Sequence, residues 1–193
     1  MSQTDELKAF FETNGYVLVK GMVGSELLKV GHEYALMRAR NNDMQDGDIQ
    51  VKKTPVVLGD RFMEAIMEHL RPKVEAVTGK ELFPTYSCMR VYKNGDDLKR
   101  HIDRPACEFS MTLTLGYDTD VNWPILVGDK DSPSVINMEP GDAVIYKGCE
   151  IPHWREQFEG THHAQVFLHY VDANGPYEGC KYDGREGIGT HAS

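Results

Sequence analysis

The sequence predicts a mainly β fold, a β-sandwich or barrel with supporting helices packed outside it. Helical periodicity is confined to about the first 80 residues, and β-branched and aromatic segments separated by turn residues follow from about residue 84. The chain has 193 residues, of which 40% are hydrophobic, which is enough to bury one substantial core. We therefore expect a single domain over 1–193, with helical support over about 1–80, a β core over about 84–172 and a frayed tail over 183–193.

The first helix is predicted over residues 4–13. Leu7, Phe10 and Phe11 recur there at helical spacing behind Thr4, a candidate cap, and an Asn-Gly pair ends the segment. The following segment "GYVLVKGM" is short and apolar, which predicts a buried strand.

Two further helices are predicted before residue 80. Ser25 is a candidate cap for a helix that continues to about Arg40. The segment 59–80 carries an apolar stripe at helical spacing, and Pro72 is expected to kink or divide that helix. The polar segment 41–54 between them predicts a loop, and loops of that length are often functional.

The second half of the chain reads as short strands separated by turns such as "KNGDD", "EPGD" and "FEG". The candidate strands are "TYSCMRVY", "LKRHID", "EFSMTLTLGYD", "PILVG", "SVINM", "DAVIYKG", "EIPHWRE" and "HHAQVFLHYVD". Many short strands with regular turns are typical of a sandwich or barrel.

Charge and composition limit the function. The formal net charge is −9, so the chain offers no basic surface for nucleic acid or anionic lipid. This composition does not favour a nucleic-acid partner. No apolar run approaches a membrane span, and the first residues lack the pattern of a signal peptide, so we expect a soluble, cytoplasmic chain. The four cysteines form no C-x-x-C pair and are expected to be reduced and structural.

His101 and Asp103 form an H-x-D pair on the predicted strand "LKRHID". Residues two apart on a strand leave the same face, so both side chains can reach one ion. A second histidine would complete a two-His-one-carboxylate face of the kind that favours Fe(II). His153 begins a later strand at the end of "PGDAVIYKGCEIPH" and is the candidate third ligand. The alternatives are a polar pair at a strand edge and a turn histidine.

The order of four segments resembles a known family. "RVYKNGDDLKRHIDR", "SMTLTLG", "PGDAVIYKGCEIPHWREQFEG" and "FLHYVD" are similar to the 2-oxoglutarate and Fe(II)-dependent dioxygenases of the prolyl 4-hydroxylase-like branch. The similarity covers about 84–172. It implies a double-stranded β-helix (jelly roll) with N-terminal helices packed outside, and it makes His101, Asp103 and His153 the iron ligands.

The same resemblance implies contacts to 2-oxoglutarate. Tyr92 matches the family tyrosine that binds this co-substrate, and Thr114 falls at another such position. His163 stands where the family has a Lys or Arg for the far carboxylate, and a protonated imidazole would make a weaker, single-point contact. Arg155 and Arg90 are candidate replacements. Ordinary barrel lining is the alternative for each of these residues.

The activity implied by the resemblance is hydroxylation of a C–H bond in a peptidyl prolyl, amino-acid or other small substrate, with succinate and CO2 as co-products. The implied cofactors are Fe(II), 2-oxoglutarate as co-substrate and O2, and ascorbate is a candidate addition. Two other classes stay open: a cupin-like jelly-roll metalloprotein that does not turn over 2-oxoglutarate, and a non-catalytic binding module on the same scaffold. The partner is a small molecule or peptide, and the sequence favours neither a membrane nor any particular oligomer.

Overall fold

The computed structural model describes residues 2–118 and 123–190. Its helices are α1 (Gln3–Asn14), α2 (Ser25–Arg40) and α3 (Arg61–Thr78), with 3₁₀ helices at Pro105–Cys107 and Glu178–Gly184. Its strands are β1 (Tyr16–Val19), β2 (Gln45–Gly47), β3 (Lys52–Leu58), β4 (Leu82–Lys93), β5 (Leu98–His101), β6 (Phe109–Tyr117), β7 (Ile125–Val127), β8 (Ser134–Ile136), β9 (Ala143–Lys147), β10 (His153–Arg155) and β11 (His162–Asp172).

The strands form two antiparallel sheets. The larger has the order β1-β9-β6-β11-β4-β3-β2, and the smaller has the order β5-β10-β7-β8. From β4 onward, strands adjacent in sequence therefore alternate between the sheets, except for the β7–β8 hairpin within the smaller sheet; this is the winding of a jelly roll. All eight predicted strands of the core are present, and "HHAQVFLHYVD" matches β11 from end to end.

The central strands of the larger sheet are buried on both faces, and these two faces differ in chemistry. On β11, Ala164, Val166 and Leu168 belong to the main apolar core together with side chains of α1 and α3. The alternate residues His163, Gln165 and His169 are buried on the opposite face. The helices thus cover an apolar outer face, and the polar inner face is left to line the barrel.

The helices differ from prediction at their starts and at Pro72. Ser2, and not Thr4, caps α1, because its hydroxyl accepts from the amide of Asp5 in a capping box. Ser25 is the first residue of α2 and makes no cap hydrogen bond in that helix; Gly24 occupies the cap position. Pro72 lies on the exposed face of α3 and does not divide it, since the buried stripe on the other face continues past it.

The segment 41–54 was expected to be a loop, and the structure shows a hairpin instead. Strands β2 and β3 pair with each other, and β3 extends the larger sheet by pairing with β4. Gly47 makes the bend possible, because its φ is +83° and a Cβ there would lie 2.3 Å from the amide nitrogen of Lys53. The turn of this hairpin reaches over the inner face of the barrel.

The tail also differs from its expectation over the part that is described. Arg185 donates to the carboxylate of Glu64 at 2.6 Å and to the carbonyl of Thr85 at 2.7 Å, so residues 183–190 are fastened to α3 and β4. Residues 191–193 of the predicted tail lie outside the described residues. None of the described helices combines the length and the apolar character that crossing a bilayer requires.

Candidate metal centre and its cavity

The smaller sheet brings the three predicted ligands together. His101 ends β5 and His153 begins β10, and the two residues are direct partners in the antiparallel pair, with ring centroids 4.3 Å apart. Asp103 follows β5 in a bend, where its amide donates to the carbonyl of Gly148 at 2.8 Å. Gly148 permits this close approach, because a Cβ there would lie 2.5 Å from the Asp103 carboxylate.

The tautomers of the two histidines follow from their hydrogen bonds. Nδ1 of His101 lies 2.7 Å from the carbonyl of Lys99, and Nδ1 of His153 lies 3.0 Å from the carbonyl of Ile151. A carbonyl oxygen only accepts, so each Nδ1 carries a hydrogen. Each Nε2 is thereby left with its lone pair on the side of Asp103.

Those lone pairs converge on one carboxylate oxygen. Nε2 of His101 is 3.4 Å from Oδ1 of Asp103, and Nε2 of His153 is 3.5 Å from the same atom. Three electron-rich atoms this close repel one another unless a proton or a metal ion lies between them. Ligands of one first-row metal at right angles are roughly 3 Å apart, so the spacing and the donor set fit such an ion.

Ser110 forms a hydrogen bond with the second carboxylate oxygen of Asp103. Its hydroxyl donates to Oδ2 at 2.9 Å and also lies 2.9 Å from Nδ1 of His169. Burial acts to raise the pKa of Asp103, but a proton on Nε2 of His101 or His153, which without a metal ion would be donated to Oδ1, outweighs burial and holds that pKa well below its usual range. The carboxylate is therefore ionised, with Oδ1 left to face the two imidazoles.

Asp103, Cys107 and His169 form a second group of potential ligands among the described residues. Burial and the nearby Asp103 charge raise the pKa of the Cys107 thiol, so it stays protonated. Burial also lowers the pKa of His169 to about 4, and the Nδ1 of this neutral ring is engaged by Ser110. The group is thus better suited to hydrogen bonding than to metal binding.

The triad opens into a cavity of about 390 Å³. The turn of the β2–β3 hairpin contributes Asp48 and Ile49, and the inner face of the larger sheet contributes Arg90, Phe167 and His169. The remaining lining residues near the metal centre and the mouth are Gln50, Leu58, Tyr86, Cys88, Leu98, Ile102, Arg104, Cys107 and Tyr146. A site for one small molecule beside a metal centre has this size and composition.

His163 and Thr114 lie on the inner face but are already partnered. Nε2 of His163 is 2.9 Å from Oε1 of Gln165, and the Thr114 hydroxyl donates to the same oxygen at 3.1 Å. Burial, helped by the charge of Arg155, lowers the pKa of His163 to about 3. The imidazole is thus neutral and is not the protonated ring that a contact to the far carboxylate would require.

Tyr92 and Arg90 lie on β4 of the larger sheet, and Arg155 lies on β10 of the smaller sheet. Tyr92 is fully buried, and its hydroxyl has no hydrogen-bond partner among the described residues. Arg155 is 1% exposed; it donates to the carbonyl of Trp123 at 2.5 Å and lies 3.6 Å from the sulfur of Met138. Arg90 pairs with Asp48 of the hairpin turn.

Sequence reasoning missed Ser110, Gln165 and the hairpin residue Asp48. The first two were detectable in principle, because "FSMTLTL" and "HHAQVFLH" alternate polar with apolar residues in strands that are buried throughout. Such alternation means that a polar face points into the barrel. Asp48 carried no comparable signal, since its role depends on where the hairpin folds.

Comparison with known proteins agrees with this architecture. No family model matches the chain, and no curated protein matches its sequence. A prolyl-4-hydroxylase from Pseudomonas putida superposes with a TM-score of 0.71 at 14% identity, covering 88% of this chain and 99% of that one. The non-heme alpha-ketoglutarate-dependent epimerase SnoN from nogalamycin biosynthesis superposes with a TM-score of 0.77 at 15% identity, covering 98% and 92%.

A third similar structure is a prolyl hydroxylase from Trichoplax adhaerens, solved with a hypoxia inducible factor peptide fragment. Its TM-score is 0.72 at 13% identity, and the match covers 88% of this chain and 89% of that one. Structural similarity at such low sequence identity is evidence about the fold and not about the function. The chain has the jelly-roll fold shared by solved 2-oxoglutarate/Fe(II) oxygenases, and the predicted fold class is confirmed.

Proposed function

We propose that the chain is an Fe(II)- and 2-oxoglutarate-dependent dioxygenase that hydroxylates a C–H bond of a peptidyl prolyl, amino-acid or other small substrate. The observation that carries this proposal is the convergence of Nε2 of His101 and Nε2 of His153 on one oxygen of Asp103. A two-His-one-carboxylate face is the donor set of non-heme Fe(II) oxygenases, and it leaves coordination positions open for ligands.

The residues of the chain would divide the work as follows. His101, Asp103 and His153 hold the iron, and candidate contacts to 2-oxoglutarate are Tyr92, Thr114, His163 and Arg155. The iron and its co-substrate supply the oxidative chemistry with O2, releasing succinate and CO2. The carbonyls of Lys99 and Ile151 keep the two imidazoles oriented, and Ser110 keeps Asp103 turned toward them.

The residues at the mouth of the cavity indicate which kind of substrate surface would bind there. Ile49, Leu58 and Ile102 line it, and they are 96%, 52% and 54% exposed. Large apolar side chains this exposed mark a contact surface, so the target carbon would be presented on an apolar part of the substrate. Arg104 also borders the cavity, but its charge is engaged by a bidentate pair with Asp183.

Two measurements test the function. Anaerobic addition of Fe(II) and then 2-oxoglutarate should produce a weak visible charge-transfer band near ~500 nm. In air the protein should form succinate slowly even without substrate, and His101→Ala and Asp103→Ala should each reduce this turnover at least ~100-fold, since each removes an iron ligand. Retention of turnover by both variants would rule out the assigned ligands.

A cupin-like metalloprotein remains the second candidate, because His163 supplies no positive charge where the related dioxygenases have one. The two candidates differ in the same titration. A protein of the cupin type would bind the metal at the triad without developing the band when 2-oxoglutarate is added.

A further inference from the structure

The inner face of the barrel contains two buried arginines, and they differ in how their charge is balanced. Arg90 pairs with the carboxylate of Asp48 and also lies 3.4 Å from the carbonyl of Val51. Arg155 has no carboxylate within ion-pair distance among the described residues; its hydrogen-bond partners are a carbonyl and a thioether, and its guanidinium lies 4.7 Å from the ring centroid of Trp123. A buried charge without a counter-charge is costly, so this one calls for an explanation.

The polar atoms around Arg155 are also incompletely paired. Its Nε has no partner within the described part of the chain, and neither has the hydroxyl of Tyr92. Tyr92 and Tyr146 lie within electrostatic range of the guanidinium, and Tyr146 packs on the ring of His153 at 4.5 Å. Unsatisfied donors this deeply buried are rare in proteins unless a ligand or water completes them.

Position along β10 connects these donors to the metal centre. His153 and Arg155 are two residues apart, so their side chains leave the same face about 6.7 Å from one another. That step is comparable with the length of a five-carbon dicarboxylate. An anion held by one end at the triad and extended along this face would point its other end toward Arg155.

We infer that Arg155, together with the Tyr92 hydroxyl, binds the far carboxylate of 2-oxoglutarate. The cation then comes from β10, the strand of His153, and takes the place of a cation on the last strand, β11. The inference rests on the proposed function. His163, on the last strand, is neutral, and its Nε2 is already hydrogen-bonded to Gln165. The ligand carboxylate supplies the missing counter-charge of Arg155 and accepts hydrogen bonds from Nε and the phenol.

The test measures binding and not turnover. Anaerobic calorimetry on the Mn(II)-loaded full chain compares 2-oxoglutarate with 2-oxopentanoate, which keeps the chelating end and lacks the far carboxylate. The wild-type protein should prefer 2-oxoglutarate by about 100-fold, the range of a charge-assisted pair. Arg155→Gln should lose most of this preference while its affinity for 2-oxopentanoate changes less than about threefold.

Three further arms make the result decisive. Arg155→Lys, which keeps the charge, should retain about a tenth of the affinity for 2-oxoglutarate, and this arm decides the question if the glutamine variant fails to take up Mn(II). His163→Gln and Arg90→Gln are the rival anchors. If either of them, and not Arg155→Gln, removes the preference, the assignment to Arg155 is overturned.

Failure of the inference is distinguishable from failure of the proposed function. A wild-type protein that binds Mn(II) but neither 2-oxo acid contradicts both. A wild-type protein that prefers 2-oxoglutarate equally with and without Arg155 contradicts only the assignment of the anchor.

Discussion

At the scale of single residues, Ser110 shows how a small side chain determines what a carboxylate offers to a metal. The Ser110 hydroxyl donates its single hydrogen to Oδ2 of Asp103, so Nδ1–H of the neutral His169 ring donates to that hydroxyl. This chain of hydrogen bonds holds one oxygen of Asp103 and leaves the other facing His101 and His153.

Ser110→Ala should weaken metal binding about tenfold, because the Asp103 carboxylate is then free to rotate. Titration with Co(II) or Mn(II) measures the change. Ser87→Ala is the matched control: Ser87 is equally buried on β4, but its hydroxyl has no hydrogen-bond partner within the described structure. Equal losses in the two variants would mean that removing any buried hydroxyl loosens the site.

The buried, neutral His163 leads to a prediction about how the stability of the fold depends on pH. Its pKa is lowered to about 3 in the folded chain by burial and by the charge of Arg155, against about 6.5 in an unfolded chain. The unfolded chain therefore takes up a proton that the folded chain does not. The stability associated with a neutral His163 is complete above pH ~6.5 and falls as the pH drops toward 3, by up to ~1.4 kcal/mol per pH unit.

His163→Gln should flatten the pH dependence of the free energy of unfolding in that window, whatever its effect at neutral pH. Urea titrations at several pH values give the slope. His69→Gln, which replaces an exposed histidine on α3, should leave the slope as it is in the wild type. A slope unchanged by His163→Gln would show that this imidazole is not buried in its neutral form.

At the scale of elements, Asp48 connects the turn of the β2–β3 hairpin to the barrel. Oδ1 of Asp48 accepts the amides of Gln50 and Val51, both at 2.9 Å, and its other oxygen pairs with Arg90. A single carboxylate thus shapes the turn and attaches it to the barrel. The tip residue Ile49 is exposed, whereas Val51 and Val56 of the hairpin are buried.

Asp48→Ala should therefore release the turn without unfolding the barrel. We expect the amides of Gln50 and Val51 to exchange with solvent at least ~10-fold faster, while those of β11 are unchanged. Hydrogen exchange followed by mass spectrometry measures both. Asp46→Ala, an exposed change in the same hairpin, should have little effect, and equal acceleration in this variant would argue against the role of the Asp48 contacts.

The same elements show what could be predicted from the sequence. The core strands were predictable because apolar and polar residues alternate between turn residues, and the triad because H-x-D and a later histidine follow a known order. The hairpin was missed because "MQDGDIQVKK" is too polar to look like a strand; its pairing with β4 stabilises it from outside. The balance of charge around Arg155 depends on contacts between distant strands, which no local pattern encodes.

At the scale of the whole molecule, the C-terminal segment fastens the helical layer to the barrel. Arg185 joins Glu64 on α3 to the carbonyl of Thr85 on β4, and the side chains of the ion pair are only 7% and 1% exposed. Asp183 of the same segment adds a second connection, since its carboxylate accepts two hydrogen bonds from Arg104, the residue next to Asp103 of the triad. A glycine-rich segment with no apolar periodicity is thus ordered by buried charge, which is why its sequence suggested fraying.

Arg185→Met should lower the free energy of unfolding by about 3 kcal/mol, because it leaves the Glu64 carboxylate buried without its partner. Urea unfolding measures the loss. Arg40→Met is the control, since the Arg40–Glu33 pair is exposed and should contribute less than about 1 kcal/mol. Adding Glu64→Gln to Arg185→Met should recover part of the stability, because it removes the unpaired charge; a double variant less stable than Arg185→Met would show that Glu64 has another role.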